Sequence, residues 1–429
     1  MFNKTKLIST ICLISLFSNV YGKEVLLEEL INIAVENNSN IKISKYAEEK
    51  EKASYNLSKT DYLPKVTLTG ELARYDIRSA GTKLKDNDVT GYTISASQLL
   101  YDFGKTSNQI ESAKKNLEAS NFETVKNISA TVLNTKQAYY NILNNYQQID
   151  LAKESIRIDE LHLNQADNYF NAGIRTLIDV TDAKLQLSNS KLTLIQSEYN
   201  LKNSKTKLIS ILGTQNSNNI KIKKDKKIKT EIKSFKKSDF NLNDLLNIGL
   251  ENRAEVKILK KQIESQQLQL KNSNKEYYPT LNLDANYSDK NSDDISSIDS
   301  KQATAGVYLK WNIFTGNSTK ENIKISLVNL NSLKQQLVQQ KLQIKEDITS
   351  AYFKVKENEE SIGIALLNVK LSADKLDLAN QRYKAGLNDL VEVNDSKLAY
   401  TQAKSQLIDT YYNYLNSKAS LDYSIGVIY

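Results

Sequence analysis

Proline is nearly missing from this chain: 429 residues contain two, and glycine contributes only 13. Helix breakers this sparse argue for very long uninterrupted helices. They argue against a disordered chain, a collagen and a loop-rich sandwich. Cysteine, histidine and tryptophan occur once each, which leaves little material for a thiol nucleophile, a catalytic His or a metal cluster. Most enzyme classes are thereby disfavoured. Hydrophobic residues make up 40% and charged residues 25% of the chain, with mean hydropathy −0.49. The bulk composition is that of a soluble chain long enough for two or three domains. What is abundant is tyrosine, at 24.

The first 22 residues read as a secretory signal peptide. Lys4 and Lys6 form a positive start, Leu7 to Val20 is mostly apolar, and Val20-Tyr21-Gly22 precedes a cut before Lys23. The other reading is a buried N-terminal helix; the apolar run is too short to span a bilayer. Cys12 follows Ile11 inside the apolar run, a poor setting for lipid attachment, so the mature chain is expected to hold no cysteine. Removal of Lys4 and Lys6 lowers the net charge from +8 to +6. A basic chain raises nucleic acid as a partner, but export argues against it.

The chain is written twice. Phe170-Asn-Ala-Gly-Ile-Arg-Thr-Leu-Ile-Asp-Val-Thr-Asp-Ala-Lys-Leu returns as Tyr383-Lys-Ala-Gly-Leu-Asn-Asp-Leu-Val-Glu-Val-Asn-Asp-Ser-Lys-Leu, an offset of 213 from Gly173 to Gly386. Gly213 and Gly426 keep that offset. Glu36-Asn37 matches Glu251-Asn252, and Leu63-Pro64 matches Tyr278-Pro279, at an offset of 215. Both prolines thus occupy equivalent places. The organisation reads as a signal peptide (1–22), a first repeat (23–213), a basic linker or equatorial segment (214–240) and a second repeat (241–429).

Each repeat reads as helix, strand, strand, very long helix, turn, helix. A helix is expected from Leu26 to Thr60, stopped by Pro64. Period-two alternation then marks Val66-Thr-Leu-Thr and Tyr92-Thr-Ile-Ser-Ala-Ser in the first repeat. In the second it marks Leu281-Asn-Leu-Asp-Ala-Asn-Tyr and Ala303 to Trp311. Strands of about ten residues suit a tilted membrane crossing, and the turns between them, such as Asn291-Ser-Asp-Asp, are polar. Lys105 to Asn168 then runs 64 residues without Pro or Gly, roughly 95 Å as a helix. Apolar residues recur through Ile128, Val132, Tyr139, Ile142, Tyr146, Ile149, Ile156 and Leu163. In the return helix from Arg175 to Leu212, Val180, Leu187, Leu194, Leu201 and Leu208 are seven apart, copied as Val393, Tyr400, Leu407, Tyr414 and Leu421. Sustained heptads mean coiled-coil packing, and tyrosines there can pack while keeping the hydroxyl near water.

Four membrane strands cannot close a barrel, which needs about eight, and open edges are not tolerated in lipid. Several copies must therefore share one barrel, and three would give twelve strands, with the long helices forming a tube.

These repeats, the Tyr101-Asp-Phe-Gly and Phe314-Thr-Gly strand-to-helix joints, and the Ala-Gly turns followed six residues later by an acid resemble the TolC family. The likeness covers the whole mature chain. It implies a mainly α fold with a membrane β portion: a homotrimeric 12-stranded β-barrel continuous with a periplasmic α-helical barrel. It also implies residence in the outer membrane of a Gram-negative bacterium, in contact with outer-membrane lipid and extending into the periplasm. The partners it implies are a periplasmic adaptor (membrane fusion protein) and an inner-membrane transporter of RND, ABC or MFS type, serving drug efflux or type I secretion. No cofactor, catalytic residue or nucleic acid is implied. The competing reading is a secreted coiled-coil fibre or adhesin, which leaves the strands and paired prolines unexplained.

Individual residues carry two readings each. Gly173 and Gly386 are left-handed helix stops and, by resemblance, the tip turns that dock the adaptor. Asp179, Asp182, Glu392 and Asp395 are acids in a first helical turn, where the helix dipole favours them. By resemblance Glu392 and Asp395 form carboxylate rings at a narrow aperture, attracting cations, with partly raised acid pKa values. Tyr383 and Asp179 match positions that link neighbouring helices in the closed state. Asn388 stands where a basic residue often completes that clasp, and Arg175 is not a position-for-position substitute. Trp311 and Tyr308 suit a membrane-interface girdle or a core. His162, alone on a long helix, reads as structural. Lys221 to Lys237 is a basic run with Phe235 as its only aromatic, better suited to a solvated linker than to nucleic acid. Glu359-Glu360 and Asp293-Asp294 are adjacent acids without the facing geometry of paired-carboxylate catalysis.

Overall fold

A computed structural model describes residues 24–79, 82–214, 221–223, 231–232, 234–292 and 300–427. The signal-peptide segment, most of the basic linker and Asp293-Asp294 lie outside the described residues. The chain divides into two compact units. One comprises residues up to Ser39, Thr131–Ser238 and Lys354–Ala419; the other comprises Asn40–Ala130, Asp239–Phe353 and the residues from Ser420 onward.

The repeat is visible element by element. The first copy is α1 (Leu27–Asn37), α2 (Ser39–Lys59), β2 (Lys65–Ser79), β3 (Thr82–Tyr101), α3 (Lys105–Asn171) and α4 (Leu177–Leu212). The second is α5 (Leu242–Asn252), α6 (Ala254–Asn274), β5 (Thr280–Ser292), β6 (Ser300–Lys310), α7 (Ser318–Lys384) and α8 (Leu390–Ser424). Helices α3 and α7 each have 67 residues. The short strands β1 (Glu24–Val25) and β4 (Lys221–Ile222) pair in parallel. No described helix is long and apolar enough to cross a membrane.

One expectation fails in both copies. The opening helix is not continuous: it breaks at Asn38 (φ −59°, ψ 129°) and again at Arg253 (φ −57°, ψ 127°). Two different side chains satisfy the same bend. Asn38 Nδ2 donates to Ile211 O at 2.7 Å. Arg253 holds Glu255 through two 2.9 Å bonds and lies over the Tyr423 ring. In each copy the glycine that ends the return helix, Gly213 or Gly426, is in the left-handed region and lies against the break. The break thus receives the end of its own repeat's last helix, a tertiary fit that needs neither Pro nor Gly at the bend itself.

The strands are longer than the alternation suggests, at 15, 20, 13 and 11 residues. They form one antiparallel sheet in the order β2-β3-β5-β6. The register gives this sheet two unlike faces. Val66, Leu68 and Leu72 share one face with Ile94, Tyr92, Leu283, Ala285, Tyr287, Val307 and Leu309. The other face carries Thr67, Thr69, Thr93, Ser95, Ser97, Asn282, Asp284, Asn286 and Thr304. The apolar face is open: Val66 is 69% and Leu72 82% exposed. Its apolar run from Leu281 to Tyr287 measures roughly 20 Å at the rise of a strand. Trp311 stands just past one end of β6, and the Tyr92–Tyr287 ring pair borders the other end of the run. Beyond that pair the same face turns charged, with Arg74–Asp88 at 2.6 Å and Lys301–Asp289 at 3.2 Å. Tyr308 pairs across to Asn282 and covers Gly306, so it belongs to the polar face and not to the girdle expected of it. Among the described residues, no strand pairs with the outer edges of β2 or β6.

Each sheet-to-helix joint needs two successive residues with positive φ: Phe103 and Gly104 in one copy, Gly316 and Asn317 in the other. Asp102 secures the first joint, accepting the Gly104 and Thr106 amides at 3.0 and 2.6 Å as the cap of α3. The heptad residues read from α4 and α8 are all buried or half-buried, as a coiled-coil seam requires.

Candidate functional site: the paired helical turns

The α3–α4 and α7–α8 turns are built alike. After the last helical residues, Gly173 (φ +70°) and Gly386 (φ +73°) reverse the chain. Their amides bond Phe170 O and Tyr383 O at 2.9 and 3.1 Å. The following amides of Ile174 and Leu387 reach Tyr169 O and Arg382 O, both at 2.9 Å. These paired bonds are a left-handed helix stop, and neither glycine has an atom within 4 Å of where a Cβ would be. Two further left-handed stops, Gly213 and Gly426, end the return helices.

A small apolar cluster locks the two hairpins together: Ala166, Val180, Ala183, Ala379, Tyr383, Leu390 and Val393. Tyr383 is 2% exposed, and its hydroxyl has no hydrogen-bond partner. Burial first, and the Asp179 carboxylate second, push this phenol above its ordinary pKa. Its ring meets Tyr169 edge-on at 5.8 Å and carries the Arg175 guanidinium at 5.0 Å. Arg175 also donates from Nη2 to the Asn388 carbonyl oxygen at 2.6 Å. The structure therefore brings Tyr383, Asp179 and Asn388 together, and the basic side chain among them is Arg175. Matching by repeat position sets Arg175 aside. Its route into the cluster runs between hairpins, which no one-dimensional comparison contains.

The candidate aperture acids are placed differently. Asp179 and Asp182 are half-buried on the first turns of α4, Glu392 is half-buried on α8, and Asp395 is exposed. Asp389 caps α8 by accepting the Glu392 amide at 3.1 Å. The Glu392 carboxylate lies 3.9 Å from Arg382, so its nearest opposite charge is on its own hairpin. Trp311 and Tyr308 belong to the other unit.

Sequence reading missed a polar layer deeper in the same unit. Lys397 of α8 bonds both Asp159 oxygens of α3 at 2.7 and 2.6 Å and Ser190 of α4 at 3.2 Å, with Lys397 and Asp159 side chains 2% and 1% exposed. Burial lowers the Lys397 pKa, against the pull of Asp159. His162, one helical turn from Asp159, faces Asn380 Oδ1 at 3.1 Å. The signal was faint: Lys397 has a repeat counterpart, Lys184, whereas Asp159 is matched by Ser372. The described ends of the linker are likewise tied down. Ser238 donates its amide to buried Glu359 at 2.9 Å, and Phe235 packs edge-on against Tyr414 at 4.9 Å. Among the described residues, no group of His, Cys, Asp and Glu is placed to hold a metal.

Comparison with known proteins agrees with this architecture. The model of the family described as outer membrane efflux protein matches residues 30–214 and 245–427, one segment per repeat. The outer membrane protein TolC of Salmonella enteritidis is 21% identical over 409 residues, covering 91% of this chain and 80% of that protein. The crystal structure of CusC superposes with a TM-score of 0.81 at 16% identity, over 96% of this chain and 95% of that one. The Campylobacter jejuni CmeC outer membrane channel gives 0.79 at 16% identity, over 94% and 86%. With a family match in each repeat, and with relatives that are outer-membrane channels rather than enzymes, the chain belongs to the outer membrane efflux protein family and resides in the outer membrane, extending into the periplasm.

Proposed function

We propose that three copies of this chain form a passive export duct, the outer-membrane component of a tripartite system. The observation that carries the reading is the two-faced sheet with unpaired outer edges. One copy offers an exposed apolar face toward lipid, a polar face toward a lumen, and two edges that lipid does not tolerate unpaired. Edge-to-edge closure of three copies gives a 12-stranded barrel, within the range known for outer membranes. Trp311 and the Tyr92–Tyr287 pair fit the two headgroup levels, and Tyr308 lines the duct. The helical hairpins lie in the periplasm, with the Gly173 and Gly386 turns docking a periplasmic adaptor that connects to an inner-membrane transporter. Glu392 and Asp395, together with Asp179 and Asp182, supply the acidic aperture, three carboxylates per ring. Tyr383, Asp179 and Arg175 hold the closed arrangement. The duct is generic, and the transporter chooses between small-molecule efflux and protein secretion.

The test is single-channel conductance of purified protein in a planar bilayer, wild type beside Glu392→Gln/Asp395→Asn. The expected result is a small cation-selective current blocked by trivalent cations, with the block lost in the variant. A variant that is blocked like the wild type removes these acids from the aperture. Folded protein that forms no channel favours the fibre reading.

A further inference from the structure

The chain's only histidine sits at a point where four helices meet. His162 on α3 is buried, and its Nε2 faces Asn380 Oδ1 of α7 at 3.1 Å. Its Nδ1 is buried with no hydrogen-bond partner. One turn back on α3, Asp159 spends both oxygens on Lys397 of α8, which in turn bonds Ser190 of α4. The charged groups facing His162 are therefore Asp159 from its own helix and Lys397 from α8. Helix α7 presents the neutral Asn380, and α4 bonds Lys397 through the neutral Ser190. This layer holds one anion and one cation, already matched.

A neutral imidazole fits it. With its proton on Nε2 it donates to Asn380 and leaves only a bare lone pair at Nδ1. A second proton changes the balance. Nδ1 becomes an N–H donor with no acceptor, and a second cation enters a layer whose one carboxylate is already doubly engaged. Burying an unpaired charge is costly, and the cost falls only when water reaches the ring. We propose that His162 is a proton-operated latch between the two hairpins: neutral, it holds α3 against α7, and protonated, it drives them apart. The inference rests on the reading of these hairpins as the duct's periplasmic gate, and makes acidification an opening signal. Burial is the leading influence on the His162 pKa and lowers it, with Lys397 acting in the same direction and Asn380 and Asp159 opposing. The closed packing thus binds the proton more weakly than the parted one. Its stability is complete above the ordinary histidine pKa and is lost as pH falls below it. A difference of one pKa unit between the two arrangements shifts their ratio about tenfold.

The experiment measures the hairpins and the current separately. In the mature chain, which is expected to hold no cysteine, spin labels on cysteines introduced at Asn171 and Lys384 report the separation of the ends of α3 and α7, in protein diluted with unlabelled chain, at pH 7.5 and 5.5. Single-channel open probability is recorded over the same range. In wild type, acid is expected to raise the parted population about tenfold, with open probability following. His162→Gln keeps a neutral partner for Asn380 and should hold the short distance at both pH values. His162→Lys should be parted at both. A His162→Gln protein that still parts in acid overturns the latch, because the response then does not pass through His162. A wild type whose distances ignore pH overturns it as well. Distances that depend on His162 in a protein that conducts at no pH sustain the latch and remove the channel reading.

Discussion

The two hairpins share a backbone and differ in what surrounds it. Gly173 and Gly386 have φ within three degrees of each other, +70° and +73°, and Val180 and its counterpart Val393 are both buried. Elsewhere the copies diverge. Leu177 is 59% exposed and Leu390 not at all; Phe170 is exposed and Tyr383 buried; Lys184 is exposed and Lys397 is sealed into an ion pair. A duplicated sequence therefore specifies turn and helix twice, because those depend on neighbours in the chain. Burial is decided by which hairpin faces inward, and there the copies have drifted apart. The first copy keeps apolar side chains such as Leu177 and Ile178 available at its surface. The second uses Leu390, the counterpart of Leu177, to close the packing between hairpins, while Val391, the counterpart of Ile178, stays exposed.

The sharpest way to break this comparison is at the paired lysines. Lys397→Met leaves Asp159 as a buried carboxylate without its partner, a loss of about 3–5 kcal/mol. Lys184→Met, at the same place in the first repeat, should stay within about 0.5 kcal/mol, as surface changes do. Denaturant unfolding of detergent-solubilised protein checks both. Combining Lys397→Met with Asp159→Leu should restore most of the loss, since replacing both members of a buried pair by apolar groups is often near neutral. Equal losses at Lys184 and Lys397 would mean that the asymmetry has no energetic content.

What the sequence made legible follows the same division. Both Pro-terminated entries to the sheet, both long helices, the heptad seams and the glycine turns were readable, because each is set by local chemistry or by strict period. The helix breaks at Asn38 and Arg253 were not, although Glu36-Asn37 and Glu251-Asn252 stand beside them as a matched pair. Neither bend contains Gly or Pro; each is held by a group some 90 to 175 positions away in the chain, Ile211 O in one copy and Asp347 and Tyr423 in the other. The strands outran their alternation because pairing continues into charged residues such as Arg74 and Asp88. At the candidate site, the glycines were legible by repeat matching, and Tyr383 and Asp179 through the family resemblance. Arg175 and the Asp159–Lys397 pair were not, since both connect one hairpin to the other.

A second contrast separates two kinds of left-handed glycine. Gly173→Ala places a Cβ in open space, so it carries only the backbone cost of a positive φ, about 1 kcal/mol. Gly213→Ala meets the Asn37 carbonyl oxygen at 2.6 Å, which is backbone and cannot rotate away. It should cost at least about 1 kcal/mol more, because the helix break itself must shift. The second repeat offers a replicate. Gly386→Ala should behave like Gly173→Ala, and Gly426→Ala, facing Arg253 N at 3.0 Å, like Gly213→Ala. Thermal unfolding of the four variants side by side would show two pairs. Four equal losses would mean that the abutment of helix end on helix break contributes nothing.

The smallest effect is the most informative about the closed arrangement. Tyr383→Phe gives the second hairpin the residue type that the first already has at Phe170. Its hydroxyl is buried without a partner, so removing it abandons no hydrogen bond and relieves an unsatisfied polar group. Stability should change by less than about 0.5 kcal/mol, with any change toward greater stability. Arg175→Ala removes a charge-assisted bond to the Asn388 carbonyl and a cation stacked on the same ring, together about 1–2 kcal/mol. If the two hairpins are held by the Tyr383 ring and the Arg175 guanidinium, Tyr383→Phe leaves single-channel open probability unchanged while Arg175→Ala raises it. The reverse ordering would place the holding force in the hydroxyl, and would mean that Asp179 moves to accept it when the hairpins close.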